Sequence, residues 1–279
     1  MRHDMRLSII TDELSDDLDV ALDACARLGL AEVELRTAGG RSLLALTDEE
    51  LAATVQHVRE RGFAISALAT PIFKCSLPDA PAPAGELHGA AASATIDDSW
   101  LLLARALEIG AEFGIPVVRA FSFWRVAEPA GVFEQVVDAL RQALVLARGT
   151  GVTLALENEH DCNIATAAET ARVLERLPEL RVIWDPANHV RGGGQPEEAA
   201  LRGFEDRIAH VHLKDVDATG TWVCLGDGLV PYGAVFEWLL GFGYDGALSF
   251  ETHCQTGGST EAATRRSLRA LDAYVGAAA

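Results

Sequence analysis

The chain has 279 residues, of which 49% are hydrophobic, so it is long enough to bury one large core. Its 41 acidic residues outnumber its 23 lysines and arginines and give a formal net charge of -18. A field of this sign repels phosphate backbones and anionic lipids, which excludes nucleic acid and membranes as expected partners. Five scattered cysteines, and an N-terminus without the apolar stretch of a secretion signal, predict a cytoplasmic protein in a reducing compartment.

Short runs rich in Val, Ile and Leu alternate along the chain with amphipathic helical stretches. Each run is bounded by Gly, Pro or Asn, as is typical of buried parallel strands. The eight runs lie at residues 7–13, 32–36, 63–69, 116–122, 152–158, 181–186, 208–215 and 247–253. Between them, capping boxes at Thr47 and Thr166 predict helix starts, and Gly29, Gly62 and Gly151 predict helix ends.

Eight strands alternating with helices predict parallel βαβ units, in either a closed barrel or an open doubly wound sheet. Polar residues stand at the C-terminal ends of many of these strands, the side on which barrel enzymes build their sites. This placement favours a single (β/α)8 TIM barrel domain over residues 1–279. One connection is unusually long, at residues 71–98, and its Pro, Ala and Gly content is typical of either a lid or a surface insertion.

Four acid or imidazole groups end the last four predicted strands: Glu157, Asp185, His212 and Glu251. A carboxylate at the end of a buried strand is costly unless it is paired, hydrogen-bonded or metal-bound. One such residue is most often structural, but four on successive barrel strands converge on one axis. Three carboxylates and one imidazole suit one divalent ion, such as Mn²⁺, Mg²⁺, Co²⁺ or Zn²⁺. The absence of thiolates from the set argues against a structural zinc site.

In the run HVHLK, the residues His210, His212 and Lys214 alternate and share one face of the strand. If His212 points inward, His210 lies one layer deeper and is expected to support the site or the core. Lys214 then lies one layer nearer the opening. We expect it either to bind a substrate oxygen or to neutralise the carboxylates.

Other polar residues near the strand ends are candidate substrate contacts. Arg119 ends the fourth predicted strand and is expected to bind a substrate oxygen or to pair with Glu157. Glu159 and His160, just past Glu157, are expected to contact the substrate or to cap the loop. Asn188 can bond a substrate hydroxyl, although its amide cannot act as a general base.

Two glycine-rich stretches, residues 191–198 and 255–261, are candidate phosphate-binding loops, although such loops are more often plain turns. The second follows the last predicted strand and opens a helix, near where barrels often hold phosphate. Phe123 and Trp124 are candidate walls of the pocket, although aromatic residues at strand ends more commonly belong to the core.

The strand ends LENEH, WDPAN, HVHLKD and SFETH, with LGDG and GYDGALSFE, resemble the sugar phosphate isomerase/epimerase superfamily, which also contains xylose isomerase and endonuclease IV. The resemblance covers nearly the whole chain, and its specific part runs from Glu157 to Glu251. It implies a metal held by Glu157, Asp185, His212 and Glu251, the histidine being the second of the pair. Family epimerases often carry a histidine where this chain has Asn188, which is a departure from the ketose 3-epimerases.

The resemblance implies a metal-dependent isomerase or epimerase of a small sugar or keto-polyol. The metal would polarise the carbonyl while Glu157 and Glu251 move a proton at the neighbouring carbon, through an enediolate that the metal stabilises. The alternatives are a lyase of the inosose dehydratase type and a non-catalytic, metal-bearing sugar-binding protein. An AP endonuclease is disfavoured, because that branch uses several metals and a basic DNA-binding face. Family members are often dimers or tetramers, so a homo-oligomer remains open.

Overall fold

A computed structural model describes residues 5–85, 94–200, 203–254 and 258–277 of the chain. Within them, eight parallel strands form one sheet in which chain neighbours are also spatial neighbours. The strands are β1 (Arg6–Ile9), β2 (Glu32–Leu35), β3 (Ala64–Ile72), β4 (Val117–Ala120), β5 (Thr153–Glu157), β6 (Arg181–Trp184), β7 (Ile208–Leu213) and β8 (Ala247–Phe250). The ring closes around β1, because Ser8 pairs with Ser249 of β8 and Ile10 bridges to Glu34 of β2. The predicted (β/α)8 barrel is confirmed.

Helices connect the strands and pack outside the barrel. They are α1 (Leu18–Leu28), α2 (Asp48–Glu60), α3 (Ile96–Phe113), α4 (Phe133–Ala147), α5 (Ala167–Arg176), α6 (Pro186–Arg191), α7 (Tyr232–Gly241) and α8 (Thr260–Ala277). Thr47 and Thr166 form both hydrogen bonds of a capping box, at the starts of α2 and α5, as predicted. Gly29 ends α1 with a φ of 72°, a left-handed conformation that glycine adopts without a side-chain clash. None of the helices in the described ranges is long and apolar enough to cross a membrane.

Several element ends differ from the sequence prediction. The first strand stops at Ile9 because Thr11–Glu13 form a turn of 3-10 helix. Gly151 does not end a helix, since α4 stops at Ala147 and Gly151 lies in the turn before β5. The third strand extends to Ile72, so the long connection is shorter than predicted. Its residues 86–93 lie outside the described part of the chain, and its role as lid or insertion stays a prediction.

Strand residues alternate between two apolar layers, as the period of a strand requires. One set packs between the strands and the helices: Leu68, Val118, Leu156, Val182 and Val211. The other forms a small cluster on the inner side: Ala67, Val117, Ala155 and Ile183. Other buried positions on the strands are polar: Glu34, His210, His212 and Ser249. The inside of the barrel therefore contains one apolar layer, and polar side chains surround the predicted metal ligands.

Candidate metal centre

The four residues predicted to bind a metal lie together at the carboxyl ends of β5 to β8. Glu157 is the last residue of β5, His212 lies near the end of β7, and Asp185 and Glu251 directly follow β6 and β8. Each is at most 5% exposed, and one ligand atom from each lies within 4.8 Å of the others. Neighbouring barrel strands end around one axis, which is why residues far apart in the sequence meet here.

The imidazole of His212 has carboxylates on both sides. Its Nδ1 lies 3.1 Å from Glu157 Oε1 and 3.7 Å from Glu251 Oε2. Its Nε2 lies 3.1 Å from Glu34 Oε2, so Nδ1 is the nitrogen that faces the four-residue cluster. Burial disfavours the imidazolium, but Glu34 and Glu157 outweigh it and hold the pKa of His212 well above its usual range.

Asp185 takes its position from the short helix α6 that follows it. Its Oδ1 accepts a hydrogen bond of 2.8 Å from the backbone N–H of Asn188, and Pro186 occupies the first turn of the helix. Its Oδ2 is buried and has no partner with hydrogen-bond geometry in the described ranges, although Lys214 Nζ lies 3.0 Å away. Burial, together with the nearby carboxylates, raises the pKa of Asp185 to about 6.

This arrangement fits a divalent cation. Three carboxylates crowded around one imidazole repel one another, and the buried Oδ2 of Asp185 lacks a hydrogen bond that would compensate its loss of water. Carboxylate oxygens with one imidazole nitrogen and no thiolate form a donor set for a hard or borderline ion. Glu157, Asp185, His212 and Glu251 are therefore the residues that would hold such an ion.

Lys214 lies directly against the cluster. Its Nζ donates a hydrogen bond of 2.6 Å to Glu251 Oε2, and it also lies 4.9 Å from the centroid of the Trp222 ring. Burial opposes the charge on Lys214, but Asp185 and Glu251 outweigh it and hold its pKa well above the usual range. The side chain also lines the adjacent pocket. Lys214 therefore neutralises part of the negative charge of Asp185 and Glu251. Because it also lines the pocket, a molecule bound there can contact it.

Arg119 is the second buried cation beside the cluster. It donates a hydrogen bond of 2.9 Å to Glu157 Oε2 and one of 3.0 Å to the backbone oxygen of Ala69. The expected pair with Glu157 is therefore present, and part of the arginine also lines the pocket. Because Oε2 of Glu157 is held by Arg119, only Oε1 faces His212.

Asn188 connects two of the predicted substrate contacts to the cluster. Its Nδ2 lies 3.2 Å from Glu157 Oε1 and 3.1 Å from Glu159 Oε2, and its Oδ1 lies 2.9 Å from His160 Nδ1. Both ends of the amide are engaged, so Asn188 orients the two glutamates. Glu159 lines the pocket. Burial opposes its charge, but Lys74 and His160 lower the pKa of Glu159.

A pocket of about 550 Å³ opens beside the cluster. Basic and aromatic side chains contribute much of its lining: Arg36, Lys74, Arg119, Phe121, His160, Arg191, Lys214, Trp222 and His253. Glu251 also lines the pocket, whereas Glu157 is fully buried behind it. A chamber of this size accommodates a small polar molecule against the candidate metal ligands.

The family model for the xylose isomerase-like TIM barrel matches residues 22–274, which is most of the chain. The chain belongs to this family. Solved structures show the same fold at low sequence identity. A zinc-bound IOLI protein superposes with a TM-score of 0.76 at 17% identity, over 97% of this chain and 98% of that one. An L-ribulose 3-epimerase superposes with a TM-score of 0.75 at 17% identity, over 98% of this chain and 95% of that one.

Curated members of the family share only part of their length with this chain. An inosose dehydratase of Geobacillus kaustophilus is 27% identical over 143 residues, which cover 43% of this chain and 45% of that protein. A 2-epi-5-epi-valiolone 7-phosphate 2-epimerase of an Actinoplanes species is 31% identical over 175 residues, which cover 54% of this chain and 63% of that protein. The match therefore spans about half of the length of the first and less than two thirds of the second.

Several residues of this xylose isomerase-like site were not predicted from the sequence. Glu34 of β2 is fully buried beneath His212, and Arg36 pairs with Glu13 at 2.7 Å near the rim of the pocket. His253 lies 3.3 Å from Glu13, and burial of its ring is outweighed by carboxylates that raise its pKa to about 9. The sequence carried a signal for them, since Glu34 lies near the end of the predicted run 32–36, and Arg36 and His253 are the last residues of their runs.

The sequence left Phe123 and Trp124 open between the pocket wall and the core, and the core alternative is confirmed, whereas one glycine-rich stretch falls partly outside the described residues. Phe123 packs in the core with its ring 5.0 Å from that of Phe73, and Trp124 is buried outside the pocket, where Phe121 instead lines the wall. In the stretch 255–261, residues 255–257 lie outside the described part of this barrel.

Proposed function

We propose that this protein is a divalent-metal-dependent isomerase or epimerase of a small sugar or keto-polyol. The observation that carries the proposal is the convergence of Glu157, Asp185, His212 and Glu251 beside a polar pocket. A divalent ion bound there supplies a Lewis acid that polarises a carbonyl oxygen and makes the neighbouring C–H bond more acidic. Charged side chains in the lining of the pocket, among them Arg119, Glu159 and Lys214, support a substrate rich in hydroxyl groups.

Glu251 is the proposed base, because it lies between the cluster and the pocket. Its Oε2 lies 3.7 Å from His212 Nδ1, while its Oε1 lies 3.5 Å from His253 Nε2 and 3.6 Å from Arg36. Oε1 of Glu251 therefore faces the rim of the pocket. From there this oxygen can exchange a proton with a carbon of the substrate. A carboxylate in this position takes the proton from the carbon beside the carbonyl.

Glu157 is the proposed partner of Glu251 in returning the proton. Its Oε1 lies 3.1 Å from the same His212 Nδ1 that Glu251 approaches, and its orientation is set by Arg119 and Asn188. Inversion at a carbon requires removal of a proton from one face and its return to the other, and we assign the return to this second carboxylate. Lys214, which lines the pocket, is proposed to orient a hydroxyl group of the bound substrate.

A dehydratase acting on a keto-cyclitol is the second candidate. It begins with the same proton removal by Glu251 and then needs an acid that protonates the departing hydroxyl. Lys214 and His253 both line the pocket, and carboxylates hold the pKa of each above its usual value. The partial match to inosose dehydratases supports this candidate, while the partial match to an epimerase supports the first.

The test is turnover in D₂O with metal-loaded protein, followed by NMR on a panel of ketoses and inososes. We expect deuterium to enter at the carbon beside the carbonyl, and Glu251→Gln to slow this exchange about 100-fold or more, because the base is lost. Glu261→Gln is the control, since Glu261 pairs with Arg27 on the outer surface. Formation of an unsaturated ketone with loss of water would identify the dehydratase instead.

Two outcomes would contradict the proposal. A Glu251→Gln variant that binds metal and exchanges deuterium at the normal rate removes the role of Glu251. Turnover without any deuterium uptake indicates a hydride shift between carbons, and it removes the proton-transfer roles of both glutamates while keeping the isomerase class.

A further inference from the structure

Arg191 differs from the other basic side chains that line the pocket. Each of the others has a carboxylate oxygen at 3.8 Å or less: Arg36, Lys74, Arg119, His160, Lys214 and His253. Arg191 is exposed at the pocket and has no carboxylate partner within the described ranges. In a chain with a net charge of -18, an arginine without an acidic partner presents an uncompensated positive charge to whatever enters.

The position of Arg191 is set by α6 and by Trp222. Asp185 caps this helix, and Asn188 and Arg191 follow at intervals of three residues, which places them along one side. The Arg191 guanidinium lies 4.4 Å from the centroid of the Trp222 ring, and Lys214 Nζ lies 4.9 Å from the same centroid. Both cations therefore lie against the same indole ring, and the sum of the two distances is an upper limit for the separation between them.

The glycines after Arg191 do not offer their amides to a ligand. The N–H groups of Gly192, Gly193 and Gly194 donate to backbone oxygens of α6, at 2.8, 3.1 and 2.9 Å. These glycines therefore form a plain turn, the commoner of the two alternatives for the stretch 191–198, and their amides donate within the chain. The group that remains available in this stretch is the arginine side chain at its start.

We propose that Arg191 binds an oxyanion group of the substrate, a phosphate or a carboxylate, at the part of the pocket beside Trp222. The inference rests on the proposed function, since it assigns the substrate class of the same site. Stacking on Trp222 fixes the plane of the guanidinium and leaves its N–H edges free, and this planar fork matches two oxygens of a phosphate or carboxylate. The substrate is then an anionic polyol whose charged end lies on Arg191 and whose carbonyl end lies at the cluster.

The test compares the binding of three matched ligands to the metal-loaded protein by calorimetry: D-glucitol, D-gluconate and D-glucitol 6-phosphate. We expect at least one anionic ligand to bind about tenfold more tightly than D-glucitol, the effect of one charge-assisted contact. Arg191→Gln should remove this preference without weakening the binding of D-glucitol, and Arg191→Lys should retain part of it. Whichever anionic ligand loses affinity identifies the group as phosphate or carboxylate.

Arg172→Gln is the matched control, because Arg172 also stacks on an aromatic ring, 3.9 Å from the centroid of Phe133, but does not line the pocket. The proposal is overturned if the wild type shows no preference, if none of the three ligands binds, or if Arg191→Gln keeps the preference. None of these measurements needs turnover. A protein that fails the deuterium test but shows the Arg191-dependent preference therefore loses the proposed reaction and keeps the anion site.

Discussion

Glu34 accepts hydrogen bonds from three groups beneath the candidate metal centre. Its Oε2 lies 3.0 Å from His210 Nε2, 3.1 Å from His212 Nε2 and 2.7 Å from Ser249 Oγ. Burial opposes the charge on Glu34, but the two histidines outweigh it and hold its pKa well below the usual range. An ionised carboxylate only accepts hydrogen bonds, so it keeps the proton of His212 on Nε2 and leaves Nδ1 for the cluster.

We therefore expect Glu34→Gln to weaken metal binding about 10- to 100-fold, the usual cost of losing the partner that orients a ligating histidine. The glutamine amide would direct one N–H group at a histidine N–H and favour the wrong tautomer. The measurement is calorimetric titration with Mn²⁺, together with ¹⁵N NMR of the histidine rings. Glu32→Gln serves as the control, because Glu32 lies on the same strand and pairs with Arg6 at the surface. Unchanged affinity and an unchanged tautomer in Glu34→Gln would reject this role.

At the scale of the elements, Glu169 in the first turn of α5 connects this helix to the neighbouring part of the barrel. Glu169 completes the capping box with Thr166, accepts a hydrogen bond from the backbone N–H of Ala165, and pairs with Arg125 at 2.8 Å. Arg125 lies in the connection after β4, so one carboxylate joins the start of α5 to the neighbouring unit. Burial opposes its charge, but Arg125 and the backbone amides lower the pKa of Glu169.

A lowered pKa makes this contribution depend on pH in a defined direction. The stabilisation by Glu169 is fully present above the ordinary carboxyl pKa of about 4.3, and it is lost as the pH falls through the lower pKa of the folded state. We expect Glu169→Gln to cost about 1 kcal/mol at pH 7, a typical value for a cap, and to cost less as the pH is lowered below 4. Thermal unfolding across this range is the measurement, with Glu175→Gln on the exposed side of α5 as the control. An equal cost at every pH would exclude the ionised carboxylate as the source.

At the scale of the whole molecule, charge is distributed unevenly. The chain carries 41 acidic residues, yet the pocket is lined by several arginines, lysines and histidines, most of them paired with carboxylates around the cluster. The eight strands bring these opposite charges to one end of the barrel, where burial strengthens each interaction. A cation that binds only the folded cluster should therefore stabilise the entire barrel.

We expect purified protein to hold about one divalent ion per chain, and saturating Mn²⁺ to raise the Tm of the chelator-stripped protein by several degrees. An ion at about 100 times its Kd stabilises the folded state by about 2.7 kcal/mol. Asp185→Asn should abolish this rise, because it removes the charge of a buried candidate ligand. Asp206→Asn is the control, since Asp206 is exposed and pairs only with Arg207 among the ion pairs of the described ranges. If Asp185→Asn keeps the full rise in Tm, the ion binds elsewhere.

The sequence alone determined the barrel and the set of four candidate ligands. Short runs rich in Val, Ile and Leu that alternate with amphipathic helices are local signals, and the ends of parallel strands meet at one end of a barrel whatever the details of packing. Glu157, Asp185, His212 and Glu251 could therefore be brought together from their positions in the strands. The assignment of a metal to them stays a proposal.

Only the tertiary structure decided which groups support and surround these four. Glu34 meets His212 because β2 and β7 face each other across the barrel, and Trp222 meets Arg191 because two connections fold over the same pocket. Such contacts depend on side-chain direction and on loop paths, which hydrophobic periodicity does not encode. For the same reason the sequence left the pairing of Arg119 with Glu157 open, and the structure resolved it through the distance between the two side chains.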